Sequence, residues 1–275
     1  MPDPADFKPA RAVVTGGNSG IGQATCIALA ERLGVDVGFT FHEDEKGAKR
    51  TVAEVEKLGH RCVYRQADLT KLPGPEKVVD ELADELGGVD IFIANAGEGG
   101  QSWALETTFD DWTKTLNLCL TGAFLTMQRA ARRMVKQGGG GRIIAITSVH
   151  ERVAQPEGVA YVAAKHGLGG VVKGMALEIT PRHGITINAV APGAINVETD
   201  VAAALDKSDE QIRGDHDPGI PATRRGYPRE IADVICFLAS PASSYVTGAS
   251  WRVDGGFEIM TPLASEQYRK SYLPE

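Results

Sequence analysis

The sequence lacks the features that would connect this protein with membranes, nucleic acids or disulfide-linked secreted folds. No stretch approaches the ~18 consecutive apolar residues of a membrane span, and prolines and charges occupy the start, where a signal peptide needs an apolar run. The 29 basic and 36 acidic residues give a net charge of −7, with no polybasic run. This balance disfavours nucleic acid and anionic membranes as partners. We expect a small-molecule partner.

Cysteine is scarce as well. The chain has four cysteines, which lie far apart and show neither a CxxC motif nor the spacing of metal ligands: Cys26, Cys62, Cys119 and Cys236. Such residues are typical of reduced, buried thiols, so the sequence predicts no metal site. Reduced thiols fit a cytoplasmic protein.

Short apolar runs instead alternate with longer helix-like runs along the 275 residues, as in the βαβ units of a parallel sheet. The strand candidates are 11–16, 35–41, 61–66, 89–97, 141–148, 185–193 and 249–256. Helical patterns lie at roughly 20–33, 43–58, 73–86, 110–136, 158–182 and 228–239. The strands are apolar almost throughout, which indicates helices on both faces. We predict an α/β fold with one domain over 1–275, a doubly wound parallel seven-stranded sheet of the Rossmann type.

One segment breaks this alternation. Residues 197–226 are polar, contain prolines and have only weak periodicity. Inside a compact α/β domain such a segment is more typical of a mobile lid than of a linker. We therefore expect a substrate lid at 197–226.

A glycine-rich turn, TGGNSGIG from Thr15 to Gly22, follows the first predicted strand and opens the first helix. Gly16, Gly20 and Gly22 let the backbone turn sharply and approach a pyrophosphate, which then lies against free N–H groups at the helix start. A glycine-rich turn alone is weak evidence. Between the first strand and first helix of a βαβ series, it predicts a dinucleotide site.

The segment SVHERVAQPEGVAYVAAK, residues 148–165, contains a serine, a tyrosine and a lysine that suit proton transfer. Tyr161 and Lys165 are four positions apart on a predicted helix, so their side chains share a face. A phenol with a pKa near ~10 is a poor acid at pH 7, and an adjacent ammonium favours the phenolate. Ser148 closes the fifth strand, at the edge where open α/β sheets bind ligands.

These motifs, in this order, resemble the classical short-chain dehydrogenase/reductase family, whose cofactor loop has the pattern TGxxxGxG, over nearly the whole chain. The resemblance implies that Tyr161 exchanges a proton with the substrate oxygen and that Ser148 hydrogen-bonds the same oxygen. It implies that Lys165 holds the nicotinamide ribose and favours the tyrosinate. Asn117, in LNLCLTGAF, matches the family's fourth catalytic position, which supports a water-linked proton relay.

The resemblance extends the dinucleotide site beyond the glycine turn. Asp68 follows the third strand, where the family holds the adenine ring, although a helix N-cap explains an isolated aspartate equally well. Ala94 stands where the family usually has an asparagine, and Val197 where it usually has a threonine for which Thr199 is a possible substitute. The implied cofactor-binding residues are Gly16, Asn18, Ser19, Gly20, Ile21, Gly22, His42, Asp68, Leu69, Asn95, Ala96, Gly97, Tyr161, Lys165, Pro192, Gly193 and Ile195.

The end of the second strand bears on which dinucleotide binds. An NAD enzyme usually has an acidic residue there, for the ribose hydroxyls. The sequence FTFHEDEKGA puts Phe41 at that site, followed by His42 as a possible donor to a 2′-phosphate. This register favours NADP(H) over NAD(H). A shift of two residues would put Glu43 in the pocket instead.

Within the family, TSVHE, YVAAKHGLGG, APGAIN and YVTGASWRVDGGF look most like acetoin or diacetyl reductase-like and glucose dehydrogenase-like members. This implies a carbonyl reductase that transfers a hydride between NAD(P)(H) and a small secondary alcohol, ketone or hydroxyketone. A homotetramer assembled through helices 110–136 and 158–182 is the implied state. A sugar dehydrogenase, a 3-oxoacyl carrier-protein reductase and a catalytically silent dinucleotide sensor are the alternatives.

The substrate pocket is predicted from position alone. The loop EGGQSW after the fourth strand, His150, Glu151 and the lid would border it. His150 and Glu151 are also typical of surface loop residues, and Trp103 could equally be a core residue.

Overall fold

The computed structural model describes residues 4–99, 102–197, 217 and 219–260. Seven strands in this part of the chain form one sheet in which all neighbours are parallel, in the order β3-β2-β1-β4-β5-β6-β7. The order reverses at β1, next to β4, so a crevice opens there at the carboxyl ends of the strands. The strands are β1 Arg11–Val14, β2 Asp36–Phe41, β3 Cys62–Gln66, β4 Ile91–Ala94, β5 Gly141–Ile146, β6 Ile185–Pro192 and β7 Ser250–Val253.

Helices cover both faces of this sheet. Those in the described residues are α1 Gly20–Leu33, α2 Glu45–Lys57, α3 Val78–Leu86, α4 Phe109–Leu116, α5 Gly122–Gln137, α6 Val159–His183 and α7 Pro228–Ala239. A single π-helical turn, Asn117–Thr121, joins α4 to α5. In the described part of the chain, no helix has a long enough apolar stretch to span a membrane.

Two apolar cores result from the alternation of side chains along each strand. Val14 of β1 and Ile93 of β4 pack with α1, α2 and α7, whereas Val13 and Phe92, one position earlier, pack with α3, α5 and α6. Because both faces of the inner strands are buried, their sequences are apolar at most positions. The predicted fold class, a doubly wound parallel seven-stranded sheet, is confirmed.

The predicted 110–136 helix is interrupted by the π turn, and the predicted 73–86 helix begins with a separate 3-10 turn, Pro75–Lys77. Most of the predicted lid, 197–226, lies outside the described residues. Of that range the structure describes 197, 217 and 219–226.

Candidate active site

The glycine turn between β1 and α1 leaves no room for a side chain at Gly22 and little at Gly16. Gly16 has a φ of 69°, a left-handed conformation that favours glycine, and a Cβ at Gly22 would lie 1.9 Å from the Gly16 carbonyl oxygen. Ser19 precedes α1 without its side chain accepting a backbone N–H, so the first N–H groups of the helix are available to an anion. The turn therefore forms a cradle that fits a pyrophosphate.

Thr15 and Asn95 tie this turn to the end of β4. The Thr15 Oγ1 accepts the backbone N–H groups of Asn95 and Ala96, both at 2.9 Å. The Asn95 side-chain amide donates to the carbonyl oxygens of Thr15 and Gly16 at 2.9 and 3.0 Å. Asn95 thus holds the ends of β1 and β4 together although Ala94 has no polar side chain.

A cleft of about 540 Å³ crosses the carboxyl ends of the strands. All the residues predicted to bind the cofactor line it, together with Ser148. Other residues that were not predicted from the sequence also line it, among them Thr40, Thr70, Lys114, Leu118 and Thr147. Lys114 and Leu118 are four positions apart and share a face, but no sequence signal shows that this face meets the cleft. The structure therefore brings motifs from six strand ends to one cavity.

At the second strand, β2 ends at Phe41, and Phe41 and His42 line the cleft. The Glu43 side chain is 84% exposed and does not line it. The predicted register is therefore the observed one. The residues that line the cleft include no carboxylate from this loop.

Asp68 caps a turn, not the helix start that an isolated aspartate predicts, and it also lines the cleft. Its carboxylate accepts hydrogen bonds from the Thr70 hydroxyl at 2.5 Å and the Thr70 N–H at 3.0 Å, which caps the turn after β3. These bonds, with Lys71 at 3.1 Å, lower the pKa of Asp68 to about 2. Its Oδ2 also lies 3.6 Å from His42 Nε2, and both residues line the cleft. Asp68 therefore carries a permanent negative charge at neutral pH.

Ser148, Tyr161 and Lys165 meet where β5 ends against α6. The Lys165 side chain is only 3% exposed, and its Nζ donates to the Ile146 carbonyl oxygen at 2.8 Å. The same Nζ lies 5.4 Å from the centre of the Tyr161 ring. Ser148 is buried, and its Oγ accepts the His150 N–H at 3.2 Å. A hydroxyl, a phenol and an ammonium thus share one wall of the cleft.

Asn117 does not line the cleft. It begins the π turn, and its side-chain amide donates to the Thr70 carbonyl oxygen at 2.9 Å. The N–H of Gly122 bonds to the Asn117 carbonyl oxygen, the i+5 pattern that defines the turn. Asn117 therefore contacts the cleft wall through Thr70.

At the far end of the cleft, the turn after β6 is held from two sides. The Gly193 N–H donates to the Val253 carbonyl oxygen at 3.1 Å, and Ile195 forms a parallel bridge with Gly226. Val197 lines the cleft at the position of the usual family threonine. Thr199 lies outside the described residues.

The residues predicted to border the substrate pocket separate into different environments. The His150 ring lies edge-on to Tyr161, with 6.2 Å between ring centres. The Glu151 side chain is instead buried against Gly169 of α6 and lies 3.5 Å from Arg152, so it does not line the cleft. Trp103 is 55% exposed, which rules out a core position. Glu98 lines both the cleft and an adjoining cavity of about 300 Å³.

All four cysteines are buried and free. Burial raises the pKa of Cys62 and of Cys236 to about 12 and that of Cys26 well above its usual value. Among the described residues, no three His, Cys, Asp or Glu side chains group as metal ligands. The thiols of Cys26, Cys62 and Cys236 therefore remain protonated and unreactive near neutral pH.

Comparison with known proteins agrees with this geometry. The family model described as Enoyl-(Acyl carrier protein) reductase matches residues 16–258. "Uncharacterized oxidoreductase YohF" of Escherichia coli is 45% identical over 251 residues, which cover 91% of this chain and 96% of that protein. "Glucose 1-dehydrogenase 2" of Bacillus subtilis is 33% identical over 258 residues, 92% of this chain and 96% of the relative.

A solved structure is also similar to this chain. The crystal structure of acetoin dehydrogenase from Enterobacter cloacae aligns with a TM-score of 0.85 at 43% identity. The alignment covers 94% of this chain and 98% of that chain. The family-model match over residues 16–258 spans the glycine turn from Gly16 onward, β5 and α6.

Proposed function

The chain belongs to the short-chain dehydrogenase/reductase family of NAD(P)-dependent oxidoreductases, and from that premise we propose that it interconverts a small secondary alcohol or hydroxyketone and its carbonyl form. The observation that carries this proposal is one cleft lined by the glycine turn at one end and by Ser148, Tyr161 and Lys165 at the other. Such a cleft can hold a dinucleotide with its reactive end beside a proton donor.

The catalytic residues of the proposal are Ser148, Tyr161, Lys165 and Asn117. In reduction, Tyr161 gives a proton to the carbonyl oxygen, while Ser148 hydrogen-bonds the same oxygen and holds it in place. In oxidation, Tyr161 removes the hydroxyl proton. The bound dinucleotide supplies or accepts the hydride.

In this scheme Lys165 acts on both Tyr161 and the nicotinamide ribose. Its bond to the Ile146 carbonyl oxygen fixes the ammonium behind Tyr161, where a positive charge favours the phenolate. Two of its three N–H donors remain for a ribose hydroxyl and water. We assign Asn117 to the relay that returns the proton to solvent. Its backbone carbonyl oxygen lies in the π turn, and its side-chain amide donates to the Thr70 carbonyl oxygen.

The residues along the cleft fit NAD(P)(H), and we propose NADP(H) as the preferred form. The absence of side chains at Gly16 and Gly22 suits the pyrophosphate, and Asp68 and Leu69 suit the adenine. His42 at the end of β2 offers a donor for a 2′-phosphate, and Glu43 is exposed to solvent. The β2 loop itself therefore contributes no carboxylate that would repel this phosphate, and the neighbouring Asp68 carboxylate, 3.6 Å from His42 Nε2, belongs to the β3 end.

The preference is tested by kcat/KM for NADPH and NADH with the wild type and the variants His42→Asp and Glu43→Gln. We expect the wild type to favour NADPH. The new carboxylate in His42→Asp repels the 2′-phosphate and shifts the ratio toward NADH by about tenfold or more. Glu43→Gln is the matched control and leaves the ratio within about twofold. A wild type that favours NADH contradicts the proposal.

The substrate class is proposed from similarity. Relatives include an acetoin dehydrogenase and a glucose 1-dehydrogenase by name, so a hydroxyketone is the first candidate and a sugar the second. A third relative is named 3-oxoacyl-[acyl-carrier-protein] reductase, at 37% identity. All three reactions interconvert a hydroxyl and a carbonyl group.

The decisive experiment follows nucleotide absorbance with a panel of small ketones, hydroxyketones, aldoses and a 3-oxoacyl thioester. Turnover of hydroxyketones or ketones at a higher kcat/KM than the others supports the proposal. Cofactor binding, seen as a thermal shift, without turnover of any carbonyl compound would overturn it.

We extend the proposal to the whole chain. We propose a single domain over 1–275, with a lid at 197–226, that assembles into a homotetramer, as the sequence predicts. The four buried, free thiols support a reducing compartment such as the cytoplasm.

A further inference from the structure

His150 adjoins the reactive groups although it is absent from the set that the family resemblance implied. Its N–H donates to Ser148 Oγ, and its ring lies edge-on to Tyr161 at 6.2 Å. Both partners are groups that hold the substrate oxygen in the proposed reaction. His150 itself is not among the residues that line the cleft, but it contacts two that are. The inference below rests on the proposed function, in which a substrate held by these two residues would lie beside the His150 ring.

The hydrogen bond at Nδ1 fixes the chemistry of the other ring nitrogen. His150 Nδ1 lies 3.0 Å from the Val153 carbonyl oxygen. Since a carbonyl oxygen only accepts hydrogen bonds, Nδ1 carries the proton. In the neutral ring Nε2 is then an acceptor. Within the described parts of the chain, Nε2 has no hydrogen-bond or ion-pair partner.

We propose that His150 is a specificity-determining residue that accepts, through Nε2, a hydrogen bond from a hydroxyl on the carbon next to the reacting carbonyl. The substrate class is therefore the vicinal hydroxyketone and, in the reverse direction, the vicinal diol. A diketone lacks the hydroxyl proton and leaves this acceptor unpaired, as does a simple ketone. An unpaired polar group in a site costs affinity for the analogue that lacks its partner.

The test compares one pair of substrates that differ by a single hydroxyl, a four-carbon ketone and the same ketone with a hydroxyl on the neighbouring carbon. The quantity measured is the ratio of their kcat/KM values. We expect the wild type to favour the hydroxyketone. In His150→Phe, which keeps an aromatic ring against Tyr161, this ratio should fall about three- to tenfold, the value of one neutral hydrogen bond. His150→Gln, which retains an acceptor, should recover part of it.

His166 provides a matched control. Its Nδ1 lies 2.9 Å from the Val162 carbonyl oxygen in the same kind of contact, but on an exposed face of α6. His166→Phe should leave the ratio as in the wild type. An equal loss of both activities in His150→Phe, or a wild type that does not discriminate the pair, overturns the inference. If no ketone of either kind is reduced, the proposed function itself has failed.

Discussion

At the scale of single residues, the arrangement of Lys165 explains how a buried ammonium is tolerated. Burying an unpaired charge is costly, and the Ile146 carbonyl oxygen at 2.8 Å compensates part of this cost. The ring of Tyr161, at 5.4 Å, adds a cation–π contact. The lysine is therefore held by the strand end and the helix that also carry Ser148 and Tyr161.

Tyr161→Phe tests the proposed proton donor. Removing one hydroxyl abolishes general acid–base catalysis, so we expect kcat to fall by about 10²- to 10⁴-fold. Dinucleotide affinity, measured by fluorescence titration, should change much less. Tyr245→Phe, at a fully exposed tyrosine, serves as the control and should retain wild-type kcat. Comparable kcat in Tyr161→Phe and the wild type would assign proton transfer to another group.

Gly22→Ala tests the glycine cradle. The added methyl group would lie 1.9 Å from the Gly16 carbonyl oxygen, so the turn must move and the pyrophosphate site is lost. We expect at least a tenfold weaker dinucleotide affinity by calorimetry, with overpacking costing about 1–3 kcal/mol of stability. At Gly174 of α6 a Cβ meets nothing within 4 Å. Gly174→Ala should therefore bind normally, and normal binding by Gly22→Ala would contradict the cradle.

At the scale of elements, α7 is joined to the segment before it by Glu230. Its carboxylate accepts the Tyr227 N–H at 2.8 Å and pairs with Arg224 at 2.7 Å. The Arg224 hydrogen bond lowers the pKa of Glu230. Because this pKa is lower in the folded state, the stabilisation is present above the unfolded pKa, near ~4.3, and is lost as the pH falls through the folded pKa.

Glu230→Gln should therefore destabilise the protein at pH 7, by about 0.5–1 kcal/mol, because the side chain is partly exposed and its ion pair is screened. The difference from the wild type should shrink as the pH falls below ~4. Urea unfolding at a series of pH values measures both effects. Glu81→Gln, at an exposed position of α3, is the control. A difference that grows on acidification would disprove this role.

Sequence patterns predicted some elements closely and others not. The bounds of α1 and α7 agree with prediction because glycine, serine and proline mark their ends. The π turn at Asn117–Thr121 was not predicted, since apolar periodicity continues through it and one inserted residue leaves no compositional signal. Glu151 was expected near the pocket, but its contact with Gly169 depends on how α6 packs, which spacing along the chain does not encode.

At the scale of the whole molecule, parallel strands deliver the ends of distant segments to one edge. The motifs that line the cleft at the strand ends could be predicted because each directly follows a strand. Lys114 and Leu118 could not, because they line the cleft from a helix whose orientation is set by tertiary packing. Residues that line the cleft from a helix can therefore be identified only from the structure.

The predicted homotetramer is testable on α6. Leu177 lies on this helix and is 79% exposed, and burying it between copies would remove apolar surface from water. Light scattering should give about four times the mass of one chain for the wild type and a smaller mass for Leu177→Glu. Leu58→Glu, at the end of α2, is the control. A monomeric wild type would exclude the tetramer.

The π turn between α4 and α5 has a consequence for how this site can change by insertion or deletion. One residue of an α-helix corresponds to about 100° of rotation, so the turn sets the angular phase between the two helices. Deleting one residue there would leave the apolar face of α5 on the sheet but rotate α4 about its axis. Lys114 would then turn away from the cleft, and the Asn117 amide from Thr70. One residue thus decides whether α4 and α5 form a continuous α-helix or two helical segments whose faces point in different directions.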